Sequence, residues 1–420
     1  MWGTPLMGMW LTGHGGSFST QTYCKNHLPT MQFRRIIVAA WLFATTLAAQ
    51  AQALLYPQHF NLSEVTLLDS PFRTARDLNN HTLLAYDADR LMAPFIRQAG
   101  LDKQAGKYQG WLDKHPSFTN WGLSNWSLEG HVGGHYLTAL ALAYASLNHD
   151  GASTEEQAVR QQLKERLDYC LNILHDCQEA YANDATGLKG FIGGQPLNDM
   201  WRKLYRGDTS AYTQFGGWVP LYCQHKVLAG LRDAYLYAGS LKAKEMFRSL
   251  CDWTIEVVNR YTNIENLLNS EHGGVNETLA DAYALFGDDK YLEGAKKYCH
   301  QQMINGMANY NTTFLNNKHA NTQVPKYIGF ERICQLTRGA EPANYESAVH
   351  NFWTDVAQNR TVCIGGNSVD EHFLPATEAG RYIANLNGPE SCNSNNMLKL
   401  SEDLFDDTHD ARYADFYENT

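Results

Sequence analysis

The chain of 420 residues is long enough for one large helical domain or two ordinary domains. Hydrophobic residues make up 44% of it and charged residues 19%, which is typical of a folded globular protein rather than a disordered one. The formal net charge of −10 argues against a nucleic-acid partner, because phosphate binding requires clustered lysine and arginine.

The amino-terminal region contains a targeting pattern that begins inside the chain. Residues 31–53, MQFRRIIVAAWLFATTLAAQAQA, combine two arginines, an apolar run and small residues at the spacing that a signal peptidase accepts. The apolar run is shorter than the roughly 20 residues of a membrane-spanning helix, so we predict no membrane span. We therefore predict an erroneous upstream extension at residues 1–30, a signal peptide at 31–53, and a periplasmic or secreted mature domain at 54–420.

The mature region is predicted to be helical almost throughout. After a short extended entry at residues 60–68, apolar residues recur at three- and four-residue spacing nearly to the last residue. Gly239 and Gly287 fall where left-handed helix terminators are expected. Strand-like alternation is scarce, so the sequence predicts an all-α protein.

Loops rich in glycine, histidine, asparagine and tryptophan separate the predicted helices, as in FTNWGLSNWSLEGHVGGHYL and CIGGNSVDEHF. A ring of helical hairpins would place these loops at one end of a toroid, around a polar cleft, which is the layout of an (α/α)6 barrel. The alternation of loops and helices recurs along the chain, but the amino-acid sequence of one unit does not resemble that of the next. A plain helical solenoid is therefore the alternative.

These loops supply polar side chains that could bind a ligand. Glycine-rich loops let the backbone approach a ligand closely, and helix amino termini present free N–H groups. A single histidine is more often structural than functional, but several histidines in similar loops favour a shared site. A pocket that carries little net charge suits an uncharged ligand such as a sugar. The histidines are His131, His135, His225, His272, His319 and His372, and the carboxylates are Glu129, Glu271, Glu277, Glu371 and Glu390.

Two pairs within this set suggest chemistry. Glu371 and Glu390 could form the carboxylate pair that glycoside hydrolysis commonly uses, although two surface carboxylates are the alternative. Residues i and i+2 of an extended segment point the same way, so Glu390 and Cys392 could both reach one zinc ion. Because zinc takes four ligands, this pair would supply only half of such a site.

Six segments, in order along the chain, resemble glycoside hydrolase family 127 and its relative family 146, the β-L-arabinofuranosidases of plant-glycan-degrading bacteria. They are GHVGGHYLTALA, WVPLYCQHKVLAGLRDAY, EHGGVNETLADAYALFGD, KHANTQVPKYIG, GGNSVDEHF and ESCNSNNMLKL. The resemblance runs from about residue 58 to the last residue. It implies an (α/α)6 barrel followed by β-sandwich domains, and a zinc ion held by a Glu-x-Cys pair and a later Cys-Cys pair whose first cysteine is the nucleophile.

By this resemblance, Glu390 and Cys392 are zinc ligands and Glu371 is the general acid/base. The implied contacts to the arabinofuranose hydroxyls are His131, His135, His225 and His319. The implied reaction releases terminal β-L-arabinofuranose from plant glycans with retention of configuration, through a zinc-bound thiolate.

The sequence departs from the family pattern at the later cysteine pair, because no two of its cysteines are adjacent. We therefore expect this chain to lack the nucleophile, the last barrel helices and the β-sandwich domains. We also expect it to be inactive by itself and to associate with other chains through the unfinished barrel edge. Two other functions stay open: a non-catalytic sugar-binding toroid, and a carboxylate-only (α/α)-barrel glycosidase such as an unsaturated uronyl hydrolase.

Overall fold

The computed structural model describes residues 55–117, 128–195, 198–208, 210, 219–338 and 343–420. The predicted upstream extension (1–30) and signal peptide (31–53) lie outside these residues. Within the described ranges helices dominate and the only β-pairing consists of isolated bridges, which confirms the all-α prediction. In those same ranges, no helix is long and apolar enough to cross a membrane.

The α-helices of the described ranges are between 4 and 26 residues long. In order they are α1 Pro71–Ala85, α2 Ala88–Gln98, α3 Trp111–Lys114, α4 His131–Ser146, α5 Thr154–Glu179, α6 Asn198–Tyr205, α7 Pro220–Ala238, α8 Leu241–Val258, α9 Glu265–Ser270, α10 Val275–Phe286, α11 Asp289–Lys297, α12 Gln301–Ala308, α13 Ala320–Thr337, α14 Ala343–Asn359, α15 Ala379–Ala384, α16 Ser391–Thr408 and α17 Ala411–Asn419. The predicted extended entry contains a short 3-10 turn at Leu62–Glu64.

The helices form two layers. Helices α4, α7, α10, α13 and α16 pack side by side around one interior, each against the next in chain order. Helices α5, α8, α11, α14 and α17 lie outside them and pack on the inner helices. This alternation is the arrangement of an α/α toroid, and it places the loops that precede the inner helices at one end.

Glycines let two of the inner helices approach closely. A Cβ atom on Gly134 of α4 would lie 2.2 Å from the backbone of Lys226 in α7, and one on Gly230 of α7 would lie 2.5 Å from the carbonyl oxygen of Gly134. A larger residue at either position would therefore push α4 and α7 apart. Gly239 and Gly287 end α7 and α10 with φ values of 65° and 67°, as predicted from the sequence.

The first described residues pack against the carboxyl-terminal ends of several inner helices. The Arg332 guanidinium of α13 donates to the carbonyl oxygen of Leu55 (2.8 Å) and lies 5.2 Å from the ring centroid of Tyr56. His59 Nε2 lies 2.5 Å from Asp406 Oδ2 on α16. Leu55 also packs against the end of α7. This segment therefore ties three inner helices together at the end opposite the histidine-rich loops.

A network of buried charges links the inner helices to one another. Arg232 of α7 lies 3.1 Å from Glu277 and 2.5 Å from Asp281, both on α10. Arg332 of α13 lies 2.7 Å from Asp281, and Lys399 of α16 pairs with Glu277. Removing one partner of such a network leaves an uncompensated buried charge, which costs about 3–5 kcal/mol. The interior of the toroid is therefore held by polar pairs as well as by apolar packing.

Candidate active site

A cavity of about 990 Å³ lies at the end of the toroid where the inner helices begin. This volume is at the upper end of the range of roughly 300–1,000 Å³ found for pockets that hold small molecules. Most of the residues predicted to form the site line it together. These are His131, His135, His319, Glu371, Glu390 and Cys392.

His225 is placed differently from the other predicted contacts. It is buried within α7 and is not among the described residues that line the cavity, and its Nε2 lies 3.7 Å from Glu277 Oε2. The backbone at Gly274 (φ 120°) passes so close that a Cβ atom there would lie 2.2 Å from the His225 imidazole. His225 therefore supports the loop before α10 from behind the cavity wall.

A row of rings crosses the cavity wall from one inner helix to the next. The ring centroid of His131 lies 5.7 Å from that of Tyr222, and Tyr222 lies 4.6 Å from His272. His272 is in turn 5.6 Å from His319, which is 5.3 Å from His372. Each of these residues comes from the start of a helix or from the loop before it, so the row shows that those loops converge.

Several residues that line this cavity were not among the candidates chosen from the sequence. Most of them lie at the start of a helix or in the loop before it, a position that they share with the chosen histidines and that could have identified them. They are Tyr222, His300, Gln302 and Lys318, together with Asn269 near the end of α9.

Burial keeps the cavity histidines neutral. It lowers the pKa of His135 to about 3, and it also lowers the pKa values of His131, His272 and His319. A neutral imidazole offers one hydrogen-bond donor and one acceptor, which suits the hydroxyl groups of an uncharged ligand. The cavity is therefore equipped for a polyhydroxylated molecule rather than for an anion.

Glu371 lies in a tight hairpin turn. Val369 and His372 exchange two backbone hydrogen bonds of 3.0 and 2.9 Å. The two residues between them, Asp370 and Glu371, have left-handed φ values of 48° and 64°. Two such residues in succession define a type I′ turn, which strongly favours glycine, asparagine or aspartate. A glutamate there is strained, and strain of this kind is concentrated at functional sites.

The backbone of this hairpin forms hydrogen bonds to two separate segments of the chain that border the cavity. On one side, the Asp370 N–H donates to the carbonyl oxygen of Asn387 (3.0 Å), in the segment that leads to α16. On the other side, the Phe373 N–H donates to the carbonyl oxygen of Lys318 (2.9 Å), in the segment that leads to α13. Glu371 therefore lies between the start of α16 and the start of α13.

Glu390 and Cys392 meet at the start of α16. Glu390 is the N-cap residue, with an extended backbone (φ −84°, ψ 132°), and its carboxyl group and the Cys392 thiol are hydrogen-bond partners. Burial raises the pKa values of both groups; nearby Glu371 raises that of Glu390 further, and Glu390 raises that of Cys392. Glu390 Oε2 is buried and has no hydrogen-bond partner in the described part of the chain.

This pair fits part of a zinc site. A carboxylate oxygen and a thiolate sulfur are both common zinc ligands, and the unpartnered carboxylate oxygen beside the thiol is an atom that a cation would satisfy. Among the described residues, no third histidine, cysteine or acidic side chain brings a ligand atom within 4.8 Å of both. Glu390 and Cys392 therefore supply two of the four ligands that zinc requires.

Comparison with known proteins identifies relatives of the chain. The family model described as "Beta-L-arabinofuranosidase, GH127 catalytic domain" matches residues 64–420. Among solved structures, the chain is similar to a GH127 β-L-arabinofuranosidase from Geobacillus stearothermophilus T6, with a TM-score of 0.55 and 13% identity over 85% of this chain and 55% of that one. It is also similar to the GH127 β-arabinofuranosidase BT3674, with a TM-score of 0.54 and 15% identity over 86% of this chain and 53% of that one. No curated protein matches the chain.

The chain thus spans a little over half the length of these two solved relatives. At such low identity the structural likeness shows the fold, and it confirms the α/α toroid. The family match rests on the sequence and covers most of the chain. The chain therefore belongs to the GH127 β-L-arabinofuranosidase catalytic-domain family of glycoside hydrolases.

Proposed function

We propose that this chain forms the substrate cavity of a retaining glycosidase that releases terminal β-L-arabinofuranose from plant glycans. The observation that carries the proposal is the meeting of Glu371, Glu390 and Cys392 in one cavity lined by neutral histidines, in a chain of the GH127 family. Both solved relatives are β-arabinofuranosidases, which supports the same substrate class.

The histidines would bind the sugar. His131, His135 and His319 line the cavity, and their lowered pKa values leave each ring with one donor and one acceptor near neutral pH. Arabinofuranose is uncharged, so its hydroxyl groups match such a surface. We assign His225 a supporting role, because it lies behind the wall against Glu277.

Glu371 would act as the general acid/base. Its side chain lines the cavity and is 56% exposed, so a ligand can reach the carboxyl group. In a retaining cycle this group first protonates the departing glycosidic oxygen and then removes a proton from the incoming water. It lies between the starts of α13 and α16, both of which contribute residues to the cavity, and this supports the proposed role.

Glu390 and Cys392 would hold a zinc ion. The bound metal would supply positive charge that keeps a thiol ionised at neutral pH. We assign Cys392 as a ligand, and the sequence contains no adjacent cysteine pair that could supply the remaining ligands and the nucleophile. We further propose a periplasmic or secreted location, which rests on the signal-peptide pattern of residues 31–53.

The test combines binding and turnover in the zinc-supplemented protein. Calorimetry with methyl β-L-arabinofuranoside, its α anomer and a methyl pyranoside measures selectivity, and release of L-arabinose from an aryl β-L-arabinofuranoside measures hydrolysis. We expect selective binding of the β-furanoside by the unaltered chain and by Glu371→Gln. Because the sequence contains no adjacent cysteine pair to supply the nucleophile, we expect arabinose release only when a segment that carries such a pair is added, and Glu371→Gln should then abolish it. Selective binding without hydrolysis even after that segment is added would favour a sugar-binding toroid, and absence of selective binding would reject the substrate class.

A further inference from the structure

We propose that Lys326 of α13 is a positioning residue, which fixes the imidazole rings of His272 and His300 from behind the cavity wall, in part through one water molecule bound in a small cavity there. The inference goes beyond the proposed function, because it concerns the wall itself and holds for any ligand that the main cavity takes. It assigns a binding site for a single water molecule and a hydrogen-bonding state for each ring.

The two histidines separate the main cavity from a much smaller one. Both His272 and His300 line the main cavity of about 990 Å³. Both also line a second cavity of about 10 Å³, which we call the small cavity and whose other walls include Lys326, Asn276 and Tyr298. A volume of about 10–15 Å³ open to the centre of a water molecule is enough to hold one water. The small cavity is therefore of the size of a single-water site.

Close backbone contacts fix the shape of the small cavity. A Cβ atom on Gly273, in the loop before α10, would lie 2.3 Å from the backbone nitrogen of Lys326. The Gly273 N–H donates to the carbonyl oxygen of Thr322 (3.3 Å), and the Asn276 side-chain amide donates to the carbonyl oxygen of Lys326 (3.2 Å). The loop is thus held against α13 and covers Lys326, which is only 3% exposed. A lysine buried in this way needs polar partners for its ammonium group.

The Lys326 ammonium group has one donor more than it has protein partners. Nζ donates to the carbonyl oxygen of Leu268 (2.8 Å) and lies 2.9 Å from His300 Nδ1. Because an ammonium group only donates, the proton of the neutral His300 ring lies on Nε2, which faces Glu265 Oε2 at 3.6 Å. In the described part of the chain these are the two hydrogen-bond partners of Nζ. The third ammonium proton is therefore left for a water molecule.

His272 supplies the second partner for that water. Its Nδ1 is buried and has no hydrogen-bond partner in the described ranges. Burial lowers the pKa of His272 well below 6.5, so the ring is neutral and offers one donor and one acceptor. A water in the small cavity would accept from Lys326 and donate to His272 Nδ1, which satisfies both groups. The proton of His272 then lies on Nε2, and the ring offers an N–H donor to the main cavity.

The protonation states of these groups set the conditions of the test. Burial lowers the pKa of Lys326 to about 7 and that of His300 to about 3. At pH 6 Lys326 therefore carries its third proton, while the rings of His272 and His300 stay neutral. The other charged groups that act on Lys326 are Glu271, Lys318 and Glu265.

The experiment reads the two rings directly, by NMR of the imidazole nitrogens in the full chain at pH 6, with His272→Gln and His300→Gln to assign the signals. We expect both rings to carry the proton on Nε2. A crystal structure of the unaltered chain should show one ordered water within hydrogen-bond distance of Lys326 Nζ and His272 Nδ1. Lys326→Met, which keeps an unbranched side chain and removes the donors, should raise the fraction of each ring protonated on Nδ1 severalfold. Lys164→Met, which removes a lysine that pairs with Asp168, should leave both rings unchanged.

Each arm of the test can contradict the inference. A small cavity without a water, or a His272 ring protonated on Nδ1 in the unaltered chain, would overturn the water site. Unchanged rings in Lys326→Met would overturn the positioning role, because a purely structural lysine would not set the tautomers. The measurements on the unaltered chain decide the matter even if Lys326→Met does not fold. No sugar is used, so the result does not depend on the proposed function.

Discussion

His319 Nε2 lies 3.5 Å from Glu371 Oε2, and the same imidazole caps a helix through its other nitrogen. Nδ1 accepts a hydrogen bond of 3.4 Å from the backbone N–H of Thr322 in the first turn of α13. Because Nδ1 is the acceptor, the proton of the neutral ring lies on Nε2 and faces the Glu371 carboxylate. His319 thus connects the helix that it begins to the proposed acid/base.

These two roles of His319 can be separated by substitution. Asparagine is a good N-cap residue but is too short to reach Glu371, whereas alanine loses both interactions. We expect His319→Ala to lower the free energy of unfolding by about 1 kcal/mol and His319→Asn to leave it nearly unchanged. Both variants should weaken binding of methyl β-L-arabinofuranoside severalfold. Unaltered sugar affinity in both variants would show that His319 acts only as a helix cap.

The strained backbone at Glu371 leads to a second prediction. A non-glycine residue in the left-handed region costs about 1–2 kcal/mol, and glycine avoids this cost. Glu371→Gly should therefore raise the free energy of unfolding, by up to about 1 kcal/mol after the greater flexibility of unfolded glycine is counted. Chemical denaturation at equilibrium gives the measurement, and Glu371→Ala, which keeps the strain, is the matched control. A glycine variant no more stable than the alanine variant would contradict the strain argument.

Metal content tests the assignment of Glu390 and Cys392. We expect the protein to bind zinc, and we expect Cys392→Ser and Glu390→Gln each to weaken that binding at least tenfold, in competition with a chromophoric chelator. Cys363 is another exposed free cysteine and is not among the described cavity residues, so Cys363→Ser should leave zinc affinity unchanged. Equal losses in the Cys363 and Cys392 variants would show that the thiols bind zinc non-specifically.

Stability should depend on pH through Glu271. This carboxyl group is almost fully buried, and burial raises its pKa from 4.5 to about 8, although the N–H groups of Leu221 and Tyr222 and the nearby Lys326 act in the opposite direction. The folded protein therefore keeps a proton that the unfolded chain releases above pH 4.5. The resulting stabilisation is complete below pH 4.5 and is lost as the pH rises through 8.

The measurement is thermal unfolding of the unaltered protein and of Glu271→Gln from pH 4.5 to 9. The glutamine side chain cannot ionise. Its single carbonyl oxygen can accept from only one of the N–H groups of Leu221 and Tyr222, which donate to different oxygens of Glu271, so the variant also carries a stability difference that does not depend on pH. The unfolding temperature of the unaltered protein should fall relative to that of the variant up to about pH 8 and then level off. A constant difference across this range would mean that Glu271 does not keep its proton in the folded state.

The local sequence pattern alone predicts which end of the toroid carries the cavity. Histidine- and glycine-rich loops that precede successive helices must meet at one end of a ring of hairpins, as His131, His272 and His319 do. Glu371, Glu390 and Cys392 were also candidates from the loop sequences, but their roles came from the family resemblance. No local pattern shows that the 371 hairpin lies beside the start of α16.

Other features were not identified from the sequence, some of them local and some dependent on contacts between distant parts of the chain. The helical pattern of residues 72–92 breaks at Tyr86, where Asp87 caps a new helix by accepting from the backbone of Asp89 and Arg90. His225 faces Glu277 rather than the cavity, and its place in the sequence does not distinguish it from His135, which lies at a similar depth in α4 and lines the cavity. The packing of Leu55 and Tyr56 against Arg332 joins residues far apart in sequence.

The assignment of the active site is best tested by a crystal structure of the zinc-supplemented Glu371→Gln variant with methyl β-L-arabinofuranoside. We expect a furanose ring between His319 and the Glu390 and Cys392 pair, with the glycosidic oxygen within hydrogen-bond distance of the residue 371 side chain. A sugar bound outside this cavity, or one whose glycosidic oxygen lies out of reach of residue 371, would contradict the assignment of the active site.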